Sequence, residues 1–173
     1  MCAQFQQQMA CAIAMKTIEH FERALGRVAL WAPNAPGDAG AGANGSERYV
    51  QRLRIYPHAI RAGNAYYSPE RKSLLLGYFF ASPTGTVDML PGGVVFTALS
   101  SDIIAHETTH ALLDGLHRRF REPTNADVLA FHEAFADIVA LFQHFSMPEA
   151  LRQQIAGTRG DLRTENLLAE LAV

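Results

Sequence analysis

Cysteine is almost missing from this 173-residue chain: Cys2 and Cys11, nine residues apart, are the only two. Neither belongs to a CxxC pair, which excludes a disulfide framework and a thiolate metal site. Net charge is small as well. The balance of 15 basic against 17 acidic residues gives −2, which leaves no footprint for nucleic acid and no attraction to an acidic membrane surface. Long apolar runs are lacking too. Stretches such as Leu74 to Ala81, with its internal glycine, fall far short of the roughly 20 residues that span a bilayer, so no membrane helix is expected. The N-terminus, MCAQFQQQMACAIAMK, has no basic start followed by an apolar run. Without a signal-peptide pattern, the expected compartment is the cytoplasm if Met1 is the natural start. What remains is ordinary globular material, 49% hydrophobic and 18% charged, enough for a single domain over residues 1–173. Any function must therefore be argued from a site.

The apolar residues Met9, Ile13, Met15, Ile18, Phe21 and Leu25 recur mostly at helical spacing, and Gly26 offers a stop, which predicts a helix from about Gln6 to Leu25. Residues from about 32 to 48 are dense in Gly, Pro, Asn and Ala and read as a loop insertion. Three strands are expected, at Tyr49 to Tyr56, at 65–67 (AYY) and at Lys72 to Phe80. After a second loop over 82–93, Ser100 or Ser101 can cap a helix containing SDIIAHETTHALLDGLHRR. Thr124 or Asn125 can cap a long apolar helix through about Phe145, ended by Pro148. Two weaker helices follow, near Glu149 to Ile155 and Asp161 to Leu171. A helix, a small sheet and then helices indicate an α+β fold.

His106 and His110 sit four apart, so on a helix both rings project from one face, at a separation that one tetrahedral ion can bridge. Glu107 lies one step round, placed to act as a base on a metal-bound water. A HExxH pattern arises by chance in on the order of 1% of chains this long, so a third ligand is needed to make a site. His117 is one residue out of register for HExxHxxGxxH, where Leu113 and Leu116 stand instead. Glu133 is better placed. It shares a helical face with Asp137, which can accept the spare N–H of a ligating histidine and fix its tautomer. His117 and His144 are expected at the surface.

These residues carry a resemblance that runs from about Lys16 to Phe142. SDIIAHETTHALLDG resembles the active-site helix of the thermolysin-like gluzincin metallopeptidases, with Asp102 four before the first histidine and Asp114 four after the second. HEAFADI is similar to that family's third-ligand stretch, NAYY at 64–67 to its edge strand, and LLLGYF to the strand that follows. The resemblance implies zinc (Zn2+) held by His106, His110 and Glu133, with Glu107 as catalytic base and Asp137 supporting His106. It further implies that Asn64 and Ala65 hold a peptide backbone by strand addition, on an edge strand over the cleft. The implied fold is a zincin whose HExxH helix packs against a second zinc-ligand helix. The chain also departs from the family. His132 stands where an asparagine supports the second histidine, and Asp114 is the other candidate for that support. The acids of the family's calcium cluster are missing after Asp137, so no calcium is expected. The histidine and arginine of the family's C-terminal domain have no counterpart, which leaves Tyr66, Tyr67 or an arginine as oxyanion donors. The ending LRTENLLAELAV fits a segment of a longer chain; a compact one-domain protein is the other reading.

The function expected from the sequence is zinc-dependent hydrolysis of a peptide or protein substrate, with no nucleic-acid or membrane partner. Two alternatives stand beside it. One is a non-catalytic, zinc-stabilised module that binds a peptide or partner. The other is a zinc hydrolase acting on an ester or a non-protein amide.

Overall fold

The structure is a computed structural model that describes residues 2–34, 49–81, 92–161 and 163. Most of the expected loops at 32–48 and 82–93, and of the helix at 161–171, lie outside the described residues. Among the described residues the fold is mixed α+β, with four α-helices and a small mixed sheet.

Helix α1 (Ala3–Leu25) stops where Gly26 takes a left-handed backbone at φ 66°. Its core face is only partly the large apolar residues expected: Ile13 packs against the core, but the fully buried positions are smaller or polar. Gln6, Ala10, Ala14 and Thr17 are buried, while Met15 and Leu25 are exposed. Small side chains on this stripe let neighbouring elements come close, and the buried Thr17 hydroxyl, with one proton to donate, lies 3.0 Å from the Ile13 carbonyl and 2.8 Å from Gln143 Oε1.

The sheet is built around β3 (Ser73–Phe80), with β1 (Arg54–Ile60) parallel to it on one side and β2 (Ala65–Ser68) antiparallel on the other. Residues 73–77 of β3 are all buried, which is why this strand reads as a continuous apolar run without alternation. β1 starts five residues later than expected and runs on to Ile60. Its register shifts between Tyr56 and Ile60, around Pro57, a residue that sheets tolerate only at edges and bulges. A fourth strand, β4 (Val94–Phe96), pairs antiparallel with residues 78–80 of β3 and was not expected from its three-residue apolar signal. At Gly77 the backbone of residues 62–64 passes so close that a Cβ would lie 2.2 Å from the Ala62 carbonyl and 2.4 Å from that of Asn64.

Helix α2 (Ser101–Leu116) is capped by the Ser100 side chain, which accepts the Ile103 N–H. It runs through the core with Ile104, Ala105, Ala111 and Leu112 buried. The buried Thr108 and Thr109 hydroxyls donate to the carbonyls of Ile104 and Ala105 one turn back, so neither is left unsatisfied. Gly115 is required by the approach of Leu30, whose carbonyl would lie 2.0 Å from an added Cβ. Helix α3 (Ala126–Phe145), capped by Asn125, packs on α2, and α4 (Pro148–Thr158) follows after a short break.

By length and composition α3 could cross a bilayer, which corrects the expectation that no segment could. Its outward face is apolar, with Phe131 64% and Phe142 66% exposed. It nevertheless carries Glu133 and Asp137 mid-helix, groups that are expensive at a membrane centre.

Gly77→Ala should lower stability by about 1–3 kcal/mol, because the opposing atoms are backbone and cannot rotate away. Urea denaturation measures this; an unchanged midpoint would contradict the close approach.

Candidate metal centre

Two helices supply the site. α2 presents His106 and His110 one turn apart, with their Nε2 atoms 2.9 Å from each other. α3 crosses opposite them and brings Glu133 Oε2 to 3.1 Å from His106 Nε2 and 3.5 Å from His110 Nε2. The chemistry of this donor set can be tested against an ion. Ligand bonds of about 2.0–2.1 Å in a tetrahedron place ligand atoms about 3.3 Å apart, and the three observed separations scatter around that value. Two imidazole nitrogens and a carboxylate oxygen therefore converge closely enough that they could hold one metal ion.

The other ring nitrogens are held from behind. His106 Nδ1 lies 2.8 Å from Asp137 Oδ1, and a carboxylate can only accept, so the His106 proton sits on Nδ1 and the Nε2 lone pair faces the triangle. His110 Nδ1 lies 2.8 Å from His132 Nδ1, with the two rings stacked 18° from parallel. When His110 donates from Nδ1 to His132, its Nε2 lone pair also faces inward. Burial, and then the charge that His106 bears whenever it is protonated, pushes the His110 pKa down to about 4, which keeps the ring neutral and able to ligate.

Glu107 stands beside the triangle. Its carboxylate is 8% exposed and accepts the backbone N–H of Tyr67 at 2.7 Å. Burial raises its pKa to about 7, against the opposing pull of His106 and of the Tyr67 N–H.

The site opens into two adjoining hollows of about 260 and 350 Å3. Both are bordered by Asn64, Ala65, His106, Glu107 and Glu133. Asn64 Oδ1 accepts the Ala65 N–H at 2.8 Å, so at this end of β2 a side chain occupies the backbone donor. Tyr66 and Leu129, both exposed, line the second hollow; nothing in the pattern around Leu129 marked it.

The chain matches no protein-family model, no curated protein and no solved structure.

Several expected roles need correction. Asp114 accepts from the Tyr67 hydroxyl at 2.8 Å and from Lys72 Nζ at 3.3 Å, and the group at His110 Nδ1 is His132. Seven residues after Glu107, Asp114 faces strand β2 instead of the second histidine. The same bond engages the Tyr67 hydroxyl and removes it as an oxyanion donor. His144 is not at the surface; it is half-buried and pairs through Nε2 with Asp102 Oδ1, joining α3 to the start of α2. His117 is exposed, as expected, and lies away from the triangle at the end of α2, where its side chain accepts the Arg119 N–H of the short 3-10 turn Arg118–Arg121. Lys72 was missed because nothing local distinguishes it from a surface lysine; only the fold turns it inward.

The raised Glu107 pKa makes a signed prediction for the metal-free protein. The fold takes up a proton between pH 4.5 and about 7, so this residue's contribution falls as pH rises through that window, and the loss is complete above it. Glu107→Gln, which mimics the protonated form, should be more stable than the parent above pH 7 by on the order of 2–3 kcal/mol, and equal to it near pH 4.5. Denaturation curves at the two pH values, with chelator present, measure the difference. A Gln variant that is no more stable at pH 8 would contradict the buried, strained ionisation.

Proposed function

We propose that this chain is a zinc-dependent peptidase of the gluzincin type, with a thermolysin-like arrangement of an edge strand over a HExxH helix and a second ligand helix. The observation that carries this reading is the buried Glu107 carboxylate beside the donor triangle and in the wall of both hollows. A purely structural ion needs no such group, and burying a carboxylate without a role is costly.

His106, His110 and Glu133 would hold the ion. When bound, zinc would polarise the scissile carbonyl and make a water molecule more acidic. The protein's own groups do the rest. Glu107 takes the proton from the attacking water as the new C–O bond forms, then delivers it to the amide nitrogen as the C–N bond breaks. A carboxyl whose surroundings bring its pKa towards neutrality suits both transfers. Asp137 and His132 hold the imidazoles so that neither ring turns. The peptide would lie along the Asn64–Ala65 end of β2, taking the Ala65 N–H from the Asn64 side chain, and Tyr66, exposed at the second hollow, is the edge-strand hydroxyl left to meet the oxyanion.

Purified without chelator, the protein should contain near-stoichiometric zinc and cut a peptide library. Glu107→Ala should keep the metal and lose about 100-fold or more in rate, as expected when a general base is removed. Glu133→Ala should weaken zinc binding strongly, and His117→Ala should leave it unchanged. Absence of zinc, or equal loss of affinity in both of the last two variants, overturns the ligand assignment; bound zinc without any cleavage favours a binding module.

A further inference from the structure

We infer that Tyr67, Asp114 and Lys72 form a positioning clamp that fixes edge strand β2 relative to Glu107. The inference rests on the peptidase reading for its catalytic consequence, although the clamp itself is a feature of the fold. Tyr67 is attached to α2 at both ends. Its backbone N–H donates to Glu107 Oε2 at 2.7 Å, and its phenolic hydroxyl donates to Asp114 Oδ2 at 2.8 Å. Glu107 and Asp114 are seven residues apart, so they occupy the same face of α2 two turns from each other. A single residue of the edge strand thus spans two turns of the active-site helix.

The far end of this attachment is anchored in turn. Asp114 is 6% exposed, and a buried carboxylate requires a partner. Lys72 supplies it, with Nζ 3.3 Å from Oδ2 and a side chain that is itself buried. Lys72 closes the four-residue loop joining β2 to β3, in a left-handed backbone conformation (φ 47°) uncommon for a residue with a Cβ. Its ammonium therefore ties the loop end of the hairpin to α2, while Tyr67 ties the strand itself.

The chemistry explains why this arrangement acts on position. A peptide added to β2 takes its place from the strand, whereas Glu107 takes its place from α2. The proton transfer needs the two in register, and a misplacement of about 1 Å can lower a rate on the order of 100-fold. Asp114 and Lys72 touch neither the reacting atoms nor the ion, and Tyr67 meets only the Glu107 carboxylate, through its backbone N–H. They act through the Tyr67 amide and the strand it belongs to.

The test compares Tyr67→Phe, which removes one hydroxyl and keeps the ring, with Lys72→Met and Lys72→Arg, using the full chain. NMR-detected hydrogen exchange at the residue-67 amide is read with and without zinc, beside zinc content and cleavage kinetics. Tyr67→Phe and Lys72→Met should speed exchange at the residue-67 amide at least tenfold relative to the amides of Leu74–Leu76. Zinc content should stay unchanged, and kcat should fall at least tenfold with KM within threefold. Lys72→Arg should restore both readouts. An unchanged residue-67 amide, or equal acceleration of all β2 and β3 amides, overturns the clamp. If no variant and no parent protein cuts peptide, the peptidase reading fails while the amide exchange still decides the clamp.

Discussion

The structure depends on one constraint: α2 runs through the core carrying Glu107, Thr108, Thr109 and Asp114 in buried positions and two half-buried imidazoles beside them. A buried polar group without a partner destabilises a fold by an amount comparable to much of a small domain's net stability. The surroundings of α2 can be understood as the means of satisfying that helix. The threonines turn back on their own carbonyls. Asp137 and His132 come from α3 to the outer ring nitrogens, Tyr67 comes from β2 to both acids, and Lys72 comes from the hairpin to Asp114.

This arrangement leaves one direction for the two Nε2 atoms, towards each other and towards Glu133. Three donor atoms crowded within 3.5 Å are poorly matched as a set of hydrogen bonds and well matched as ligands. The electrostatics agree with this. The same burial that keeps His110 neutral favours the protonated form of Glu107, so neighbouring groups on one helical turn are pushed towards different roles.

Much of this was legible in the sequence where the signal is local and periodic. The i, i+4 histidines, the Glu133 and Asp137 pair on one face, the Gly26 stop and the Ser100 and Asn125 caps follow from helical geometry and need no tertiary information. What failed to read did so for physical reasons. α1 buries Ala10 and Ala14 in place of Met15 because close helix contact favours small residues, which carry no hydrophobic signal. β4 is three residues long and exists through its pairing with β3. Asp114 lies at the right spacing to support His110, but Tyr67 and Lys72 reach it instead. Lys72 and His144 look like surface residues until the fold supplies Asp114 and Asp102 opposite them.

The chemistry proposed for this fold requires that His106, His110 and Glu133 hold one metal ion. X-ray absorption at the zinc edge of the protein tests it most directly. The expected result is a low-coordinate shell of nitrogen and oxygen at about 2.0–2.1 Å, with outer-shell scattering from two imidazoles and no sulfur. A six-oxygen shell, a sulfur ligand, or a signal unchanged when His106 and His110 are replaced would contradict it.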